Sequence, residues 1–215
     1  MIEIQHLSQS FGKKIVLDDI HLRIEKNEVC ALVGRNGAGK STLINSLLGI
    51  LPVKKGIINI NGHGPSLKQN EISYLPEKFM LYPSLTGLEN MHFFAEAISK
   101  KIDHKRVEQL LTSVRLWDDR HAQVKGYSKG MLQRLGLAIT LYQDSDILIL
   151  DEPTSGIDPI GRKEILEVLK SLQDKTILLS SHHLDEIKQV CTHVAFIDNN
   201  KLEKYTVEQF IQLKS

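Results

Sequence analysis

Near its start the chain alternates apolar and polar residues with a period of two. Residues 2–8 and 15–24 follow this pattern, and Phe11, Gly12 and two lysines lie between them. Such alternation is typical of half-buried strands, and a glycine-containing break between two runs is typical of a hairpin. The pattern predicts a small antiparallel β region at the beginning of the chain.

A strand, a glycine-rich loop and a helix are predicted next. An apolar run at 29–33 leads into glycine, and over 40–48 the apolar positions recur at helical spacing, with Gly49 just past the end. Two short apolar runs, at 57–60 and 72–75, are further strand candidates.

Helical periods replace strand signals between about residues 88 and 140. Thr86 and Glu89 form a capping-box pattern before the first predicted helix, a second helix is predicted over 103–114, and a third begins at Ser128. This stretch reads as a helical insert.

Strands and helices alternate again after the insert. The predicted order is strand 147–150, helix 160–172, strand 176–179, helix 184–191, and strands 193–197 and 201–205 about a two-asparagine turn. Alternation of this kind predicts an α/β fold whose mostly parallel sheet has helices on both faces. We expect one domain, in which 1–76 and 141–215 form the core and its antiparallel β part, and 77–140 form the inserted helical subdomain.

The segment 34–41, GRNGAGKS, matches the pattern GxxxxGK[ST] and lies between the predicted strand and helix. Glycines let backbone N–H groups surround phosphate oxygens, and the helix N-terminus adds partial positive charge. The alternative, a turn that only links strand to helix, requires this spacing to arise by chance. The motif predicts a P-loop NTPase core that binds ATP through Gly34, Asn36, Gly37, Ala38, Gly39, Lys40, Ser41 and Thr42.

Two acids, Asp151 and Glu152, directly follow the apolar run 147–150. The carboxyl end of a parallel strand lies beside the nucleotide crevice of this fold class. We expect Asp151 and Ser41 to hold Mg²⁺ and Glu152 to act as the base that polarises the attacking water. A solvated acidic turn is the alternative.

Composition narrows the function classes. The 215 residues carry 27 Lys and Arg against 26 Asp and Glu, so the net charge of +1 gives no bulk attraction to nucleic acid, and we expect no such partner. Cys30 and Cys191 lie apart in apolar stretches, which favours buried thiols in a reducing cytosol over a disulfide. No apolar stretch reaches 18 residues, so we expect a cytoplasmic protein, or one peripheral to a membrane partner.

Taken with the two acids and the phosphate loop, three further motifs resemble the ATP-binding subunits of ABC transporters. The stretch 127–134, YSKGMLQR, is similar to the family's LSGGQ signature with its trailing Gln-Arg; 151–159, DEPTSGIDP, is similar to the second Walker motif running into the D-loop; and 180–182, SSH, resembles the switch-histidine loop. All five occur in the family's order. The signature and the loop YLPE at 74–77 resemble the bacitracin and multidrug efflux branch.

The resemblance implies a transport motor. Two chains would sandwich two ATP molecules, each between Lys40 of one chain and Ser128 and Gly130 of the other, with Asp158 in the D-loop nearby. His182 would contact the γ-phosphate and order the attacking water, and Phe11 would stack on adenine, although a hairpin or core role fits that ring equally. A separate integral membrane permease would be the partner, holding the chain at the inner face of the membrane, and export is the expected direction.

Three sites depart from the family pattern. Glu77 stands where glutamine is usual, which places an acid near the expected Mg²⁺ and leaves its metal contact open. Lys129 and Met131 replace a glycine and a glutamine of the signature, and Phe11 replaces the more common tyrosine. The retained Ser128 and Gly130 predict that the shared site survives.

Alternative functions remain. A soluble ABC ATPase acting on DNA or ribosomes would carry a long coiled coil or two cassettes, and a small-metabolite kinase would have no use for the signature. A nucleotide sensor without turnover would not need Lys40, Asp151, Glu152 and His182 together. One insert helix is crowded with apolar residues that read as subdomain core or as a groove for the permease: Met91, Phe93, Phe94, Ala95 and Ile98.

Overall fold

An antiparallel sheet opens the fold. The structure is a computed structural model that describes residues 1–65, 71–99, 101–172 and 174–214. Strand β1 (Ile2–Phe11) lies between β2 (Lys14–Ile24) and β4 (Lys55–Ile60), and both pairings are antiparallel. The predicted hairpin of β1 and β2 is confirmed, and the run at 57–60 forms β4, the third strand of this sheet.

A second, six-stranded sheet forms the centre. Its strands are β3 (Val29–Gly34), β5 (Ile72–Leu75), β6 (Ile147–Leu150), β7 (Thr176–Ser180), β8 (His193–Asp198) and β9 (Lys201–Thr206). They lie in the order β5-β6-β7-β3-β8-β9, parallel except for the antiparallel pair β8 and β9. The mostly parallel sheet is therefore confirmed.

Seven α-helices occur in the described ranges. They are α1 (Lys40–Leu47), α2 (Gly87–Ile98), α3 (His104–Ser113), α4 (Lys129–Tyr142), α5 (Pro159–Ser171), α6 (Leu184–Val190) and α7 (Val207–Lys214), with a 3₁₀ turn at Val124–Gly126. Thr86 and Glu89 form the predicted capping box, with each side chain accepting a hydrogen bond from the other residue's N–H. Helix α2 starts where that pattern predicts.

Helix α7 was not predicted from the sequence. At its start, the Thr206 hydroxyl accepts a hydrogen bond from the N–H of Gln209 at 3.2 Å, and Gln209 Oε1 accepts one from the N–H of Thr206 at 2.9 Å. This is a capping box of the Thr-x-x-Gln type, so the sequence did contain the signal. The helix buries Phe210 against Val194 and Ala31 of the sheet.

Two apolar layers hold the sheets and helices together. One joins the antiparallel sheet and α1 to one face of the central sheet, and the other joins α2, α3, α4 and α5 to the opposite face. Strand β6 shows the division, since Ile147 and Ile149 belong to the first layer while Leu148 and Leu150 belong to the second. Burial on both faces explains its continuous apolar run.

The expected insert, 77–140, contains α2, α3 and most of α4, which continues to Tyr142. Its exact limits stay a prediction. In the part of the chain that the structure describes, none of the helices combines the length and apolar character needed to cross a bilayer.

Candidate active site

A cleft of about 600 Å³ lies where the carboxyl ends of β3, β6 and β7 meet. Ten of the predicted site residues line it: Asn36, Gly37, Gly39, Lys40, Ser41, Thr42, Glu77, Asp151, Glu152 and His182. Val16 and Ser155 line it as well and were not predicted. Val16 belongs to a strand that the sequence ties to no motif, whereas Ser155 lies inside the recognised stretch 151–159.

The phosphate loop runs from the end of β3 to the start of α1. Gly39 adopts a left-handed backbone with φ of 113°, and a Cβ added there would lie 2.9 Å from a methyl group of Leu17, so glycine is required at this position. Gly34 is buried against the backbone of Ile197, and neither it nor Ala38 lines the cleft. None of the described side chains caps α1, which leaves its N-terminal N–H groups available for an anion.

Lys40 is the first residue of α1 and is largely buried. Its Nζ donates a hydrogen bond to the carbonyl oxygen of Gly34 at 2.9 Å. The ammonium group is thereby held across the mouth of the loop, where it can meet phosphate oxygens.

Asp151 and Glu152 follow β6 and share one hydroxyl group. The Ser180 Oγ donates to Asp151 Oδ1 and accepts from the N–H of Glu152, both at 2.7 Å. Glu152 has a φ of 49°, a left-handed conformation that is costly for a residue with a side chain. The surrounding hydrogen bonds therefore fix the turn that aims the two carboxylates into the cleft.

His182 approaches the second acid. Its Nε2 lies 2.8 Å from Glu152 Oε1. The contact is close but is not an aligned hydrogen bond, because Oε1 is buried and accepts no hydrogen bond from the described residues. The two side chains therefore lie directly against each other in the wall of the cleft.

Burial shifts the pKa values of this pair in opposite directions. Burial raises the pKa of Glu152. The Lys40 ammonium opposes this upward shift, whereas the nearby Asp151 and Glu77 increase it. Burial and then Lys40 lower the pKa of His182. Both shifts favour the neutral forms, as expected for a partly dehydrated site.

The three predicted Mg²⁺ ligands, Ser41, Asp151 and Glu77, all line the cleft. Hydroxyl and carboxylate oxygens are the ligands that Mg²⁺ prefers. Burial raises the pKa of Tyr74 to about 12, and the nearby Asp151 and Glu77 add to this shift. This donor set fits a hard divalent cation.

The signature motif lies outside this cleft. Ser128 is exposed, and its side chain caps α4 by accepting a hydrogen bond from the N–H of Met131. Gly130 packs so closely on Ile157 that a Cβ there would lie 3.2 Å from the side chain. Asp158 caps α5 beside them, so the signature and the D-loop form one packed unit.

Two other residues that the sequence singles out, Phe11 and Lys129, also lie apart from the cleft. Phe11 ends β1 with 55% of its surface exposed and does not line the cleft. The side chain of Lys129 lies over Gly156 of the D-loop in the same chain.

The helix α1 with its glycine loop and the acids at the end of β6 define a P-loop nucleoside triphosphatase. Comparisons with known proteins narrow the class. The family profile described as "ABC transporter" matches residues 17–155. The lantibiotic transport ATP-binding protein SrtF of Streptococcus pyogenes is 37% identical over 205 residues, 94% of this chain and 89% of the relative. The linearmycin resistance ATP-binding protein LnrL of Bacillus subtilis is 31% identical over 210 residues, 94% of this chain and 68% of the relative.

Solved structures agree. An ATP-binding subunit of an ABC transporter superposes with a TM-score of 0.86 at 28% identity, covering 100% of this chain and 93% of that one. The protein cbiO1 from Clostridium perfringens, part of the transporter complex cbiONQ, gives 0.88 at 26% identity, covering 99% and 91%. The chain therefore belongs to the ABC transporter family, as one of its ATP-binding, ATP-hydrolysing subunits.

Proposed function

We propose that this subunit drives an exporter, with two ATP molecules bound between two such chains and with a separate membrane permease docked on the pair. The gathering of Lys40, Asp151, Glu152 and His182 in one cleft is the observation that carries this proposal. Relatives named for lantibiotic transport, linearmycin resistance and Nod factor export support the direction. Docking on the permease would keep the chain at the cytoplasmic face of the membrane.

Lys40 and the N–H groups of α1 bind the phosphates of ATP in this proposal. Ser41 and Asp151 hold Mg²⁺, and Glu77 is the third candidate ligand. The bound ion neutralises charge on the phosphate oxygens.

Glu152 takes the proton from the attacking water. The new bond joins the water oxygen to the γ-phosphorus, the bond from that phosphorus to the bridging oxygen breaks, and ADP and phosphate leave. His182, which lines the same cleft beside Glu152, orients the water and the γ-phosphate. Burial raises the pKa of Glu152, which makes the carboxylate a better proton acceptor.

The second chain completes the site. Ser128 is exposed at the N-terminus of α4, and Asp158 lies close to Gly130 behind it. A helix start of this kind favours a negatively charged group. We propose that it meets the γ-phosphate held by the partner's phosphate loop.

The permease contact is proposed for the outer side of α2. Met91 and Ala95 are buried in the core, whereas Phe93 is 44% exposed and its ring packs against the exposed Tyr82 at 4.6 Å between centroids. Met80, two residues before Tyr82 in the sequence, is 82% exposed. One face of α2 therefore belongs to the core of the insert. On the other face, the exposed Phe93 and Tyr82 fit an apolar segment of a partner.

Replacing Glu152 with glutamine tests the proposal. We expect ATP binding to persist, turnover to fall by about 100-fold or more, and ATP with Mg²⁺ to convert the monomer into a dimer visible by sedimentation. Glu108→Gln, a change of an exposed acid on α3 outside the cleft, is the matched control. A variant that hydrolyses ATP at the wild-type rate would remove Glu152 from its role, and a strictly monomeric ATP complex would refute the shared site.

A further inference from the structure

We propose that His6, Asp19 and His21 form a binding site for a divalent transition-metal ion on the exposed face of the antiparallel sheet. One ligand atom from each residue lies within 4.8 Å of the other two. His6 Nδ1 is 2.9 Å and His21 Nε2 is 3.6 Å from Asp19 Oδ1. Two ligands of a tetrahedral metal with bonds near 2.05 Å lie about 3.3 Å apart, so small side-chain rotations suffice.

Two β-bulges create this cluster. On β1 the register passes from Ile4 opposite Leu22 to Leu7 opposite Ile20, so two residues, Gln5 and His6, face His21 alone. A regular ladder continued from Ile4 would place His6 opposite Ile20 and would separate the two histidines. The bulge instead brings their rings edge to face, with centroids 4.2 Å apart.

The second bulge lies two residues away on β2. There Asp18 and Asp19 together face Ser8, whose hydroxyl accepts a hydrogen bond from the N–H of Asp19 at 3.0 Å. Both His6 and Asp19 adopt left-handed backbone conformations, with φ of 53° and 55°. The paired irregularities turn three side chains from two strands toward one point.

The donor set indicates the class of metal. Two imidazole nitrogens and one carboxylate oxygen suit Zn²⁺, Co²⁺, Ni²⁺ or Cu²⁺ better than Mg²⁺ or Ca²⁺, which prefer oxygen ligands alone. All three residues are exposed, so water can complete the coordination.

The site differs from the ATP cleft in both place and chemistry. None of its three residues lines the cleft, and none belongs to the phosphate loop or to the acid pair. A metal here would clamp β1 to β2, the strands that carry Phe11 and Val16. The ion would therefore stabilise the antiparallel sheet without taking part in hydrolysis.

Zinc titration of the untagged protein at pH 7.5 tests the proposal. A chromophoric chelator reports the affinity, and the Asp151→Asn background removes an acid of the cleft that could bind metal. We expect one Zn²⁺ per chain and a loss of affinity of about tenfold or more for His6→Asn and for His21→Gln. His92→Gln is the matched control, because His92 and His104 also meet edge to face, with centroids 5.2 Å apart. Its affinity should equal that of the background protein.

Two further measurements make the outcome decisive. Co²⁺ should give visible absorption bands of nitrogen and oxygen coordination, and these should disappear in His6→Asn. Zn²⁺ at about 100 times the dissociation constant should raise the Tm by about 5 to 10 °C, and by less in His21→Gln. Zinc affinity that changes less than threefold in both histidine variants, or wild-type binding weaker than about 1 mM, would overturn the proposal.

Discussion

The cleft and the signature region differ in how completely one chain builds them. In the cleft, side chains from the phosphate loop, β6 and β7 converge on about 600 Å³ and contact one another. Around the signature, the side chains of Ser128 and Asp158 accept hydrogen bonds from the N-terminal N–H groups of their own helices, and the surface there is exposed. We propose that the first region is the reaction centre and that the second is completed by a partner chain.

The largest expected effect lies in the assembled region. Lys40→Ala should weaken ATP binding itself and reduce turnover by more than about 100-fold, because a buried ammonium group aimed at the phosphates is lost. Equilibrium binding of a fluorescent ATP analogue measures the change. Lys54→Ala, which removes an exposed lysine elsewhere, should leave binding unchanged. An unaltered dissociation constant in Lys40→Ala would contradict the role of the loop.

Mixing variants tests the division between the two regions directly. Lys40→Ala and Ser128→Ala should each be inactive alone, since every composite site contains one defect. In a random mixture half of the dimers join the two variants, and one of their two sites is intact, so about a quarter of wild-type turnover should return.

Ser128→Ala also removes a helix cap, at a cost of about 0.5 to 2 kcal/mol in stability. Its unfolding curve therefore has to show a folded protein before mixing. A mixture of two folded, dimerising variants that stays inactive would place the whole site within one chain.

A smaller effect concerns stability and pH. The pKa of Glu152 is raised in the folded state, so its protonated form favours folding and this contribution is lost as pH rises through the folded pKa. Glu152→Gln should therefore have a higher Tm than the wild type at pH 7. The difference should shrink toward zero below about pH 4, where the carboxyl is protonated in both states. Thermal melts from pH 4 to 8 measure it, and a pH-independent difference would argue against a raised pKa.

The smallest expected effect is at Glu77. Its charge contributes to the raised pKa of Glu152, so Glu77→Gln should move the acid limb of the rate profile to lower pH and change the apparent Mg²⁺ requirement only a few-fold. Turnover measured from pH 5 to 8 at several Mg²⁺ concentrations tests both expectations. A loss of turnover as large as that of Lys40→Ala would make Glu77 an essential ligand.

Local patterns predicted the elements well because their signals are contiguous in sequence. The glycine spacing around Lys40, the acids after an apolar run and the cap at Thr86 each contain the physical cause of the structure that forms there. The same holds for α7, whose capping box was present but not used. Family resemblance then supplied the roles of Ser128 and His182, which spacing alone left open.

Long-range geometry could not be predicted in the same way. The hydroxyl of Ser180 reaches both acids across 28 and 29 residues, and Val16 joins the cleft from a strand with no motif. The cluster of His6, Asp19 and His21 depends on two register shifts, which no spacing of these residues reveals.

Strand β6 also limits where movement can occur during the ATPase cycle. Its alternate side chains are fixed in opposite apolar layers, and its last residue leads directly into Asp151 and Glu152. A shift of the strand by one position would exchange the residues of both layers at once. We therefore expect the two acids to remain stationary relative to the sheet, and any opening and closing to be carried by the parts that approach them, including the segment from Glu77 to α4.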